Sequence, residues 1–247
     1  MKRRLLIDGD IIAYKSATMA EVDTKWEDGL WTLHADENYA KSLLHTEIET
    51  LQENLETDNI TIALTDSKNF RKDVLPSYKD NRKQKRKPLV LGALREHLRK
   101  QYKAIVIPNL EADDVLGILA TKPVKGEQRI ICSLDKDLMQ IPSYISRDGK
   151  NIVHRKKNEC DWWHLIQTLT GDSVDGFSGC PSVGIKTAEK ILTNKRMAVK
   201  DMWKLVVQTY EKNNLTEADA LQQAQVARIL RHGEYNKTTG EINLWQI

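Results

Sequence analysis

Three short apolar runs in this chain each lead into an aspartate. "RRLLID" closes on Asp8, "NITIALTD" closes on Asp66, and "QRIICSLDKDL" carries Asp135 just past its last apolar residue. Runs of this length read as strands, and segments of helical period lie between them. Residues 36–57 put Leu43, Leu44, Ile48, Leu51 and Leu55 on one stripe, and "PLVLGALREHLRKQY" and "LEADDVLGILAT" repeat the pattern on either side of a further strand-like run, "AIVIPN". Alternating strands and helices predict an α/β fold, a mostly parallel central sheet flanked by helices. Ligands of such sheets bind beyond the carboxyl ends of the strands. Asp8, Asp66 and Asp135 are therefore expected on one edge.

The remaining segments are read around that frame. Ile11–Ala20 is helix or turn, "EVDTKWEDGLWTLH" is an irregular or hairpin segment turning at Gly29, and "SYISRDGKNIVHR" is a hairpin around Asp148-Gly149. From residue 160 the pattern is helical, interrupted by the glycine-rich "GDSVDGFSGCPSVG", and "EINLWQI" is a last strand or an extended tail. The expected organisation is an α/β core over 1–158 and a helical part over 159–247. No apolar run approaches the length of a membrane span. Cys132, Cys160 and Cys180 are odd in number and lack CxxC spacing, and no signal-peptide core follows Met1; both point to a reducing cytoplasm.

The net charge is only +3, but the charges are segregated. Acids cluster at Asp8 with Asp10, at Asp66, in "EADD" (111–114), in "DKD" (135–137) and in "GDSVD" (172–175). Each alone reads as well as a helix cap or a solvated face. Together on one edge they repel, each pair near 4 Å by about 4 kcal/mol at an effective dielectric of 20. Divalent cations relieve that repulsion, and all-oxygen ligands suit Mg²⁺ or Mn²⁺. Two such ions would form the clamp used in phosphodiester hydrolysis. The six histidines are scattered without metal-ligand spacing.

"YKDNRKQKRKP" holds Lys79, Arg82, Lys83, Lys85, Arg86 and Lys87 against one acid, Asp80. Such a run is a solvated loop or, above an acidic pocket, a cover that attracts a polyanion. "GCPSVGIKTAEKIL" reads as a turn feeding a helix, either a phosphate-binding helix start with Lys186 and Thr187 in its first turn or a packing corner.

In this order the motifs resemble the 5′→3′ exonuclease and flap endonuclease family, most closely its bacteriophage members. The match runs through the strand ending Asp8-Gly9, the strand ending Asp66 with "FRK" and "YKDNR" behind it, "EADD", "SLDKDLMQ" and "GDSVDGFSGCPSVGIKTAEKIL", to about residue 193. The resemblance implies a PIN-like nuclease core with a basic arch or clamp over about 67–100 and a helix–three-turn–helix DNA-binding motif over about 171–193. It implies a metal-dependent nuclease acting near DNA 5′ ends or flaps, or on RNA–DNA hybrids, in phage-type replication or recombination. Asp8, Asp66, Glu111, Asp113 and Asp135 would surround one Mg²⁺, with Asp114 in the same motif, and Asp135, Asp137, Asp172 and Asp175 the second; Mn²⁺ would substitute. Lys79 and Arg82 would contact the scissile phosphate. Arg71, Lys83, Lys85 and Arg86 would contact DNA, as would the turn at Ser182, Val183 and Gly184, around K⁺ in some relatives, with Lys186 and Thr187. Asp10 is expected behind the metal ligands or as a helix cap. Asp175-Gly176, Ser178-Gly179 and Ser182 depart from the family's Asp-Asn, Pro-Gly and Gly. Trp162, Trp163 and Trp203 are expected in the core, as is Tyr14, with base stacking as its alternative.

A second reading is an aspartate-nucleophile phosphatase, with Asp8 as nucleophile and Asp10 as acid/base. It leaves Asp172, Asp175 and the basic run unexplained. A non-catalytic DNA-binding module gains nothing from an acidic pocket.

Overall fold

The computed structural model describes residues 2–247. In chain order it contains β1 (Lys2–Asp8), α1 (Gly9–Met19), β2 (Glu21–Lys25), β3 (Trp31–Ala35), α2 (Glu37–Asn54), β4 (Ile60–Ala63) and a single helical turn, α3 (Arg71–Val74). There follow α4 (Leu91–Gln101), α5 (Ala112–Thr121), β5 (Glu127–Cys132), β6 (Tyr144–Ser146) and β7 (Val153–His154). The C-terminal helices are α6 (Lys157–Thr170), α7 (Ile185–Ile191), α8 (Val199–Lys212) and α9 (Glu217–Ala227).

The main sheet has the order β4-β1-β5-β6-β7, parallel except for β7. β1 lies between two parallel neighbours and is covered on both faces, which explains why Leu5, Leu6 and Ile7 follow one another without polar alternation. Leu5 and Ile7 face a core shared with α1, α2 and α4, and Leu6 faces one shared with α5. A third core joins α6, α7, α8 and α9 around Leu165, Met202 and Tyr210.

Three expected elements take a different form. "AIVIPN" makes one parallel bridge, Ile105 to Ala63, instead of a strand. Ile105 exchanges hydrogen bonds with Ile62 and Leu64, but Pro108 has no N–H to extend the ladder. "EINLWQI" is the extended tail, with one bridge between Tyr235 and Ile242. The C-terminal end of the expected arch over 67–100 is core rather than cover: α4 buries Leu94 and Leu98, and in the stretch before it Lys79 N–H donates to Asp175 O.

The two proposed hairpins are present. β2 and β3 turn at Gly29, and β6 and β7 at Gly149, both glycines having positive φ. The loop between α6 and α7 is closed by a backbone contact of Gly171 with Gly179, both at φ 64°. A Cβ on Gly179 would stand 2.2 Å from Gly171 N, so neither position has room for a side chain.

Candidate active site

The acids of the α/β core gather at the carboxyl edge of the parallel sheet, joined there by Asp172 and Asp175 from the α6–α7 loop. Asp8 ends β1 and also caps α1. Its carboxylate accepts the N–H groups of Asp10 and Ile11, both at 3.1 Å, and the Ser133 hydroxyl at 2.9 Å. Ser133 also accepts the Asp135 N–H at 3.1 Å, tying the ends of β1 and β5 together. Burial, with Asp135 nearby, raises the Asp8 carboxyl to about 6 against the stabilising effect of its hydrogen bonds.

Asp113 lies in the first turn of α5. Burial raises its carboxyl far above the usual range, and Asp8, Asp135 and Glu111 raise it further. Among the described residues nothing donates a hydrogen bond to it. Asp137 is raised to about 7 by burial and by Asp135, Asp172 and Asp175, while Gln167 donates to it at 2.8 Å. Asp172 turns inward to accept the Val174 N–H at 2.7 Å and stands 3.5 Å from Lys136 Nζ.

The positive side of the site comes from a tight turn. Lys79 adopts φ 57°, a left-handed conformation unusual for a non-glycine residue, and leads into a 3₁₀ turn at Asp80–Arg82. Its ammonium pairs with Glu111 and lies 3.4 Å from Asp175. Arg82 pairs with Asp175 and donates to Val174 O at 3.0 Å. Tyr78 Oη stands 3.1 Å from Glu111 and 2.9 Å from Asp175, so its one proton serves either carboxylate. Burial opposes ionisation of Glu111, yet Lys79 and Arg71 hold its carboxyl below the usual range.

Asp8, Glu111, Asp113, Asp135, Asp137, Asp172 and Asp175 thus surround one acidic pocket, half-closed by Lys79 and Arg82. Among the described residues no three His, Cys, Asp or Glu side chains stand at ion-binding geometry as they are. Chemically the donor set fits a hard cation: all oxygens, mutually repelling, with the Asp113 carboxylate lacking a hydrogen-bond donor.

Asp66, Asp114 and Arg71 do something other than expected. Asp66 turns to the loop beside it and accepts the Asn109 N–H at 2.9 Å, a bond that holds its carboxyl below the usual range. Asp114 is 0% exposed, with both oxygens engaged by Arg71, so it is a support under the site rather than a ligand. Arg71, expected on DNA, is 2% exposed and saturated by Asp114, Val226 O and Arg228 O. Asp10 caps nothing; it accepts the Thr65 N–H at 2.8 Å and pairs with Arg95. So bound, it is not free to act as the acid/base that a phosphatase mechanism requires.

Around the pocket, Lys83 and Lys85 are exposed, and Lys83 lies 2.9 Å from Asp80. Arg86 reaches away to clasp Glu21 at 2.6 and 2.7 Å. Ser182 has φ 61°, the left-handed conformation that favours glycine. The Val183 side chain is buried in the helical core, leaving its backbone, Gly184, Lys186 and Thr187 on the surface. Trp162 and Trp203 are core residues and Trp163 packs against them, whereas Tyr14 is 51% exposed. Tyr78 and Ser133 were not singled out from the sequence, although "YKDNR" and "SLDKD" contain them.

A parallel sheet that gathers acids at its carboxyl edge beneath a lysine–arginine turn defines an enzyme of the metal-assisted hydrolase type in architecture. Residues 3–161 match the model described as the 5′-3′ exonuclease, N-terminal resolvase-like domain, and the chain belongs to this 5′–3′ exonuclease and flap nuclease family. It is 34% identical to an exodeoxyribonuclease of Enterobacteria phage T3 over 98% of this chain and 92% of that protein. It is also 34% identical to an exonuclease of Escherichia phage T7, over 98% and 93% respectively. Its fold is similar to that of the bacteriophage T5 D15 flap endonuclease in a pseudo-enzyme-product complex with DNA and metal ions. That likeness has a TM-score of 0.66 at 15% identity, covering 92% of this chain and 89% of that one.

Proposed function

We propose that this enzyme hydrolyses phosphodiester bonds near the 5′ ends of DNA, releasing nucleotides or short oligonucleotides, with divalent cations at the acidic pocket. The observation that carries the reading is the juxtaposition of a half-buried Asp113, which accepts no hydrogen bond and is crowded by Asp8, Asp135 and Glu111, with the Lys79–Arg82 turn. Asp8, Glu111, Asp113 and Asp135 would hold one Mg²⁺, and Asp135, Asp137, Asp172 and Asp175 the other, with Mn²⁺ substituting. Bound there, the ions supply an activated water and stabilise charge on the leaving oxygen.

The chain's own residues do the rest. Asp8 is held by two amides and Ser133, so its carboxylate needs no reorganisation to face the substrate. Lys79, once Glu111 and Asp175 are otherwise neutralised, donates to the scissile phosphate. Arg82 supports the adjacent phosphate. The surface at Ser182, Gly184, Lys186 and Thr187 contacts the duplex backbone, with K⁺ at that turn, and Lys83 and Lys85 add attraction for the strand. RNA–DNA hybrids are further substrates, and the setting is DNA replication or recombination in the bacterial cytoplasm. The similarity of its fold to the bacteriophage T5 D15 flap endonuclease, seen in a complex with DNA and metal ions, supports this reading.

The test is incubation of 5′-labelled duplex, flap and RNA–DNA hybrid substrates with Mg²⁺ or Mn²⁺. Labelled mono- or oligonucleotides should appear and EDTA should stop their release. Intact substrates under all metal conditions would overturn the proposal.

A further inference from the structure

Away from the acidic pocket, the β6–β7 hairpin and the 3₁₀ turn at Asp137–Gln140 enclose a cavity of about 330 Å³. Its apolar lining is Met139, Ile145 and the half-exposed Val153, and its polar lining is Arg147, Asp148, Asn151 and Arg155. That volume falls within the range of pockets that take small ligands.

The two arginines line the cavity without a carboxylate partner. Among the described residues neither makes an ion pair, although Asp148 lines the same cavity. Asp148 is spent on its own turn: the N–H groups of Lys150 and Asn151 and the Asn151 amide all donate to it, at 3.0, 2.8 and 2.6 Å. These donors hold its carboxyl at about 2. The Arg155 Nε is shielded from solvent and has no hydrogen-bond partner. That nitrogen is closed to the cavity as well, so what this side chain offers an anion is its terminal guanidinium nitrogens, which no carboxylate pairs. Arg147 uses one nitrogen on Leu134 O at 2.8 Å, and its other donors remain available.

We infer that this cavity binds a nucleoside monophosphate. Two unpaired guanidiniums match the phosphate, and the Met139–Ile145–Val153 lining accepts the flat apolar face of a base. The same chemistry is offered by a free mononucleotide and by the 5′-phosphorylated terminal nucleotide of a strand.

The experiment is calorimetric titration of the full chain in EDTA, so that no cation can bridge a phosphate to the acidic pocket. The probes are dAMP, a 5′-phosphorylated dinucleotide, deoxyadenosine and inorganic phosphate. dAMP should bind with 1:1 stoichiometry, and deoxyadenosine and phosphate at least about tenfold more weakly, because each lacks half of the contacts. Tighter binding of the dinucleotide than of dAMP assigns the site to a strand end; equal or weaker binding assigns it to the free nucleotide. Arg147→Gln and Arg155→Gln should each weaken dAMP by about tenfold or more. Val153→Glu, at a half-exposed position, should do the same without disturbing the fold. Asp135→Asn should leave binding intact. Absence of dAMP binding, or affinity unchanged in all three cavity variants, overturns the inference, and so does loss of binding in Asp135→Asn alone. None of these readouts depends on nuclease activity.

Discussion

Arg71 places both terminal nitrogens on the Asp114 carboxylate, at 2.7 and 2.9 Å, in a site from which water is excluded. The same pair reaches in two directions. Asp114 accepts the N–H of Glu111 at 3.1 Å and that of Leu230 at 3.0 Å, and Arg71 donates to Val226 O and Arg228 O. The segment after α9 is thereby fastened to the residue that bears the Lys79 partner.

Breaking that pair should be costly. Arg71→Met leaves a buried, unpaired Asp114, a loss of about 3–5 kcal/mol. Arg71→Lys keeps charge but cannot reproduce the bidentate geometry, so it should recover only part of the stability. Denaturant unfolding monitored by tryptophan fluorescence measures both, and a change below about 1 kcal/mol in Arg71→Met would contradict the role given to the pair.

Asp8 and Asp10 should separate in their effects. Asp8→Asn should abolish cleavage, because it removes the charge at the pocket while keeping the cap of α1. Asp10→Ala should only slow cleavage, since it loses the ties to Thr65 and Arg95. Product release from a labelled 5′ end measures both. Equal loss would return Asp10 to a chemical role.

Lys79→Ala should lower the cleavage rate by about a hundredfold or more while DNA binding in Ca²⁺ changes little. Removing the ammonium also removes a charge that holds the Glu111 carboxyl down. The acid limb of the rate–pH profile should accordingly move to higher pH. An unmoved profile combined with weakened binding would make Lys79 a simple DNA contact.

His164 gives the helical part its own acid sensitivity. Its ring is buried in α6, bonded to Ala224 O at 2.8 Å, and burial, aided by Arg228 and Arg231, lowers its pKa to about 3. Unfolded histidine titrates near 6.5, so below that value the unfolded chain binds more protons and folding weakens as pH falls toward about 3. The limiting slope is about 1.4 kcal/mol per pH unit. His164→Gln should flatten this part of the stability–pH curve, which urea unfolding between pH 4 and pH 7 would reveal.

The sequence was a good guide wherever a pattern is local. The consecutive apolar residues in β1 and β5 mark strands buried on both faces, and the 3.6 period of α2 and α4 marks their core sides. Gly29 and Gly149 mark their turns because positive φ leaves few alternatives. Asp8, Glu111, Asp113 and Asp135 were legible because each sits at a fixed place relative to a strand end or helix start. "AIVIPN" misled because its composition is strand-like while Pro108 lacks the N–H that a ladder needs.

Which of several similar charges faces the pocket was decided only by the tertiary structure. Asp113 and Asp114 are adjacent in one motif, but 100° of helical rotation sends the first to the acids and the second into Arg71. Arg71 belongs to a basic-looking stretch, yet long-range packing with residues 226–231 buries it. Asp66 ends a strand run as Asp8 does, but the loop at Asn109 captures it. Sequence alone determined the α/β order, the strand ends that carry acids and the family signature, since these depend on local period and spacing. The opposition of Lys79 to Glu111 and Asp175, the retreat of Asp114 and the unpaired arginines at the β6–β7 cavity depend on contacts between residues far apart in the chain, which no local pattern encodes.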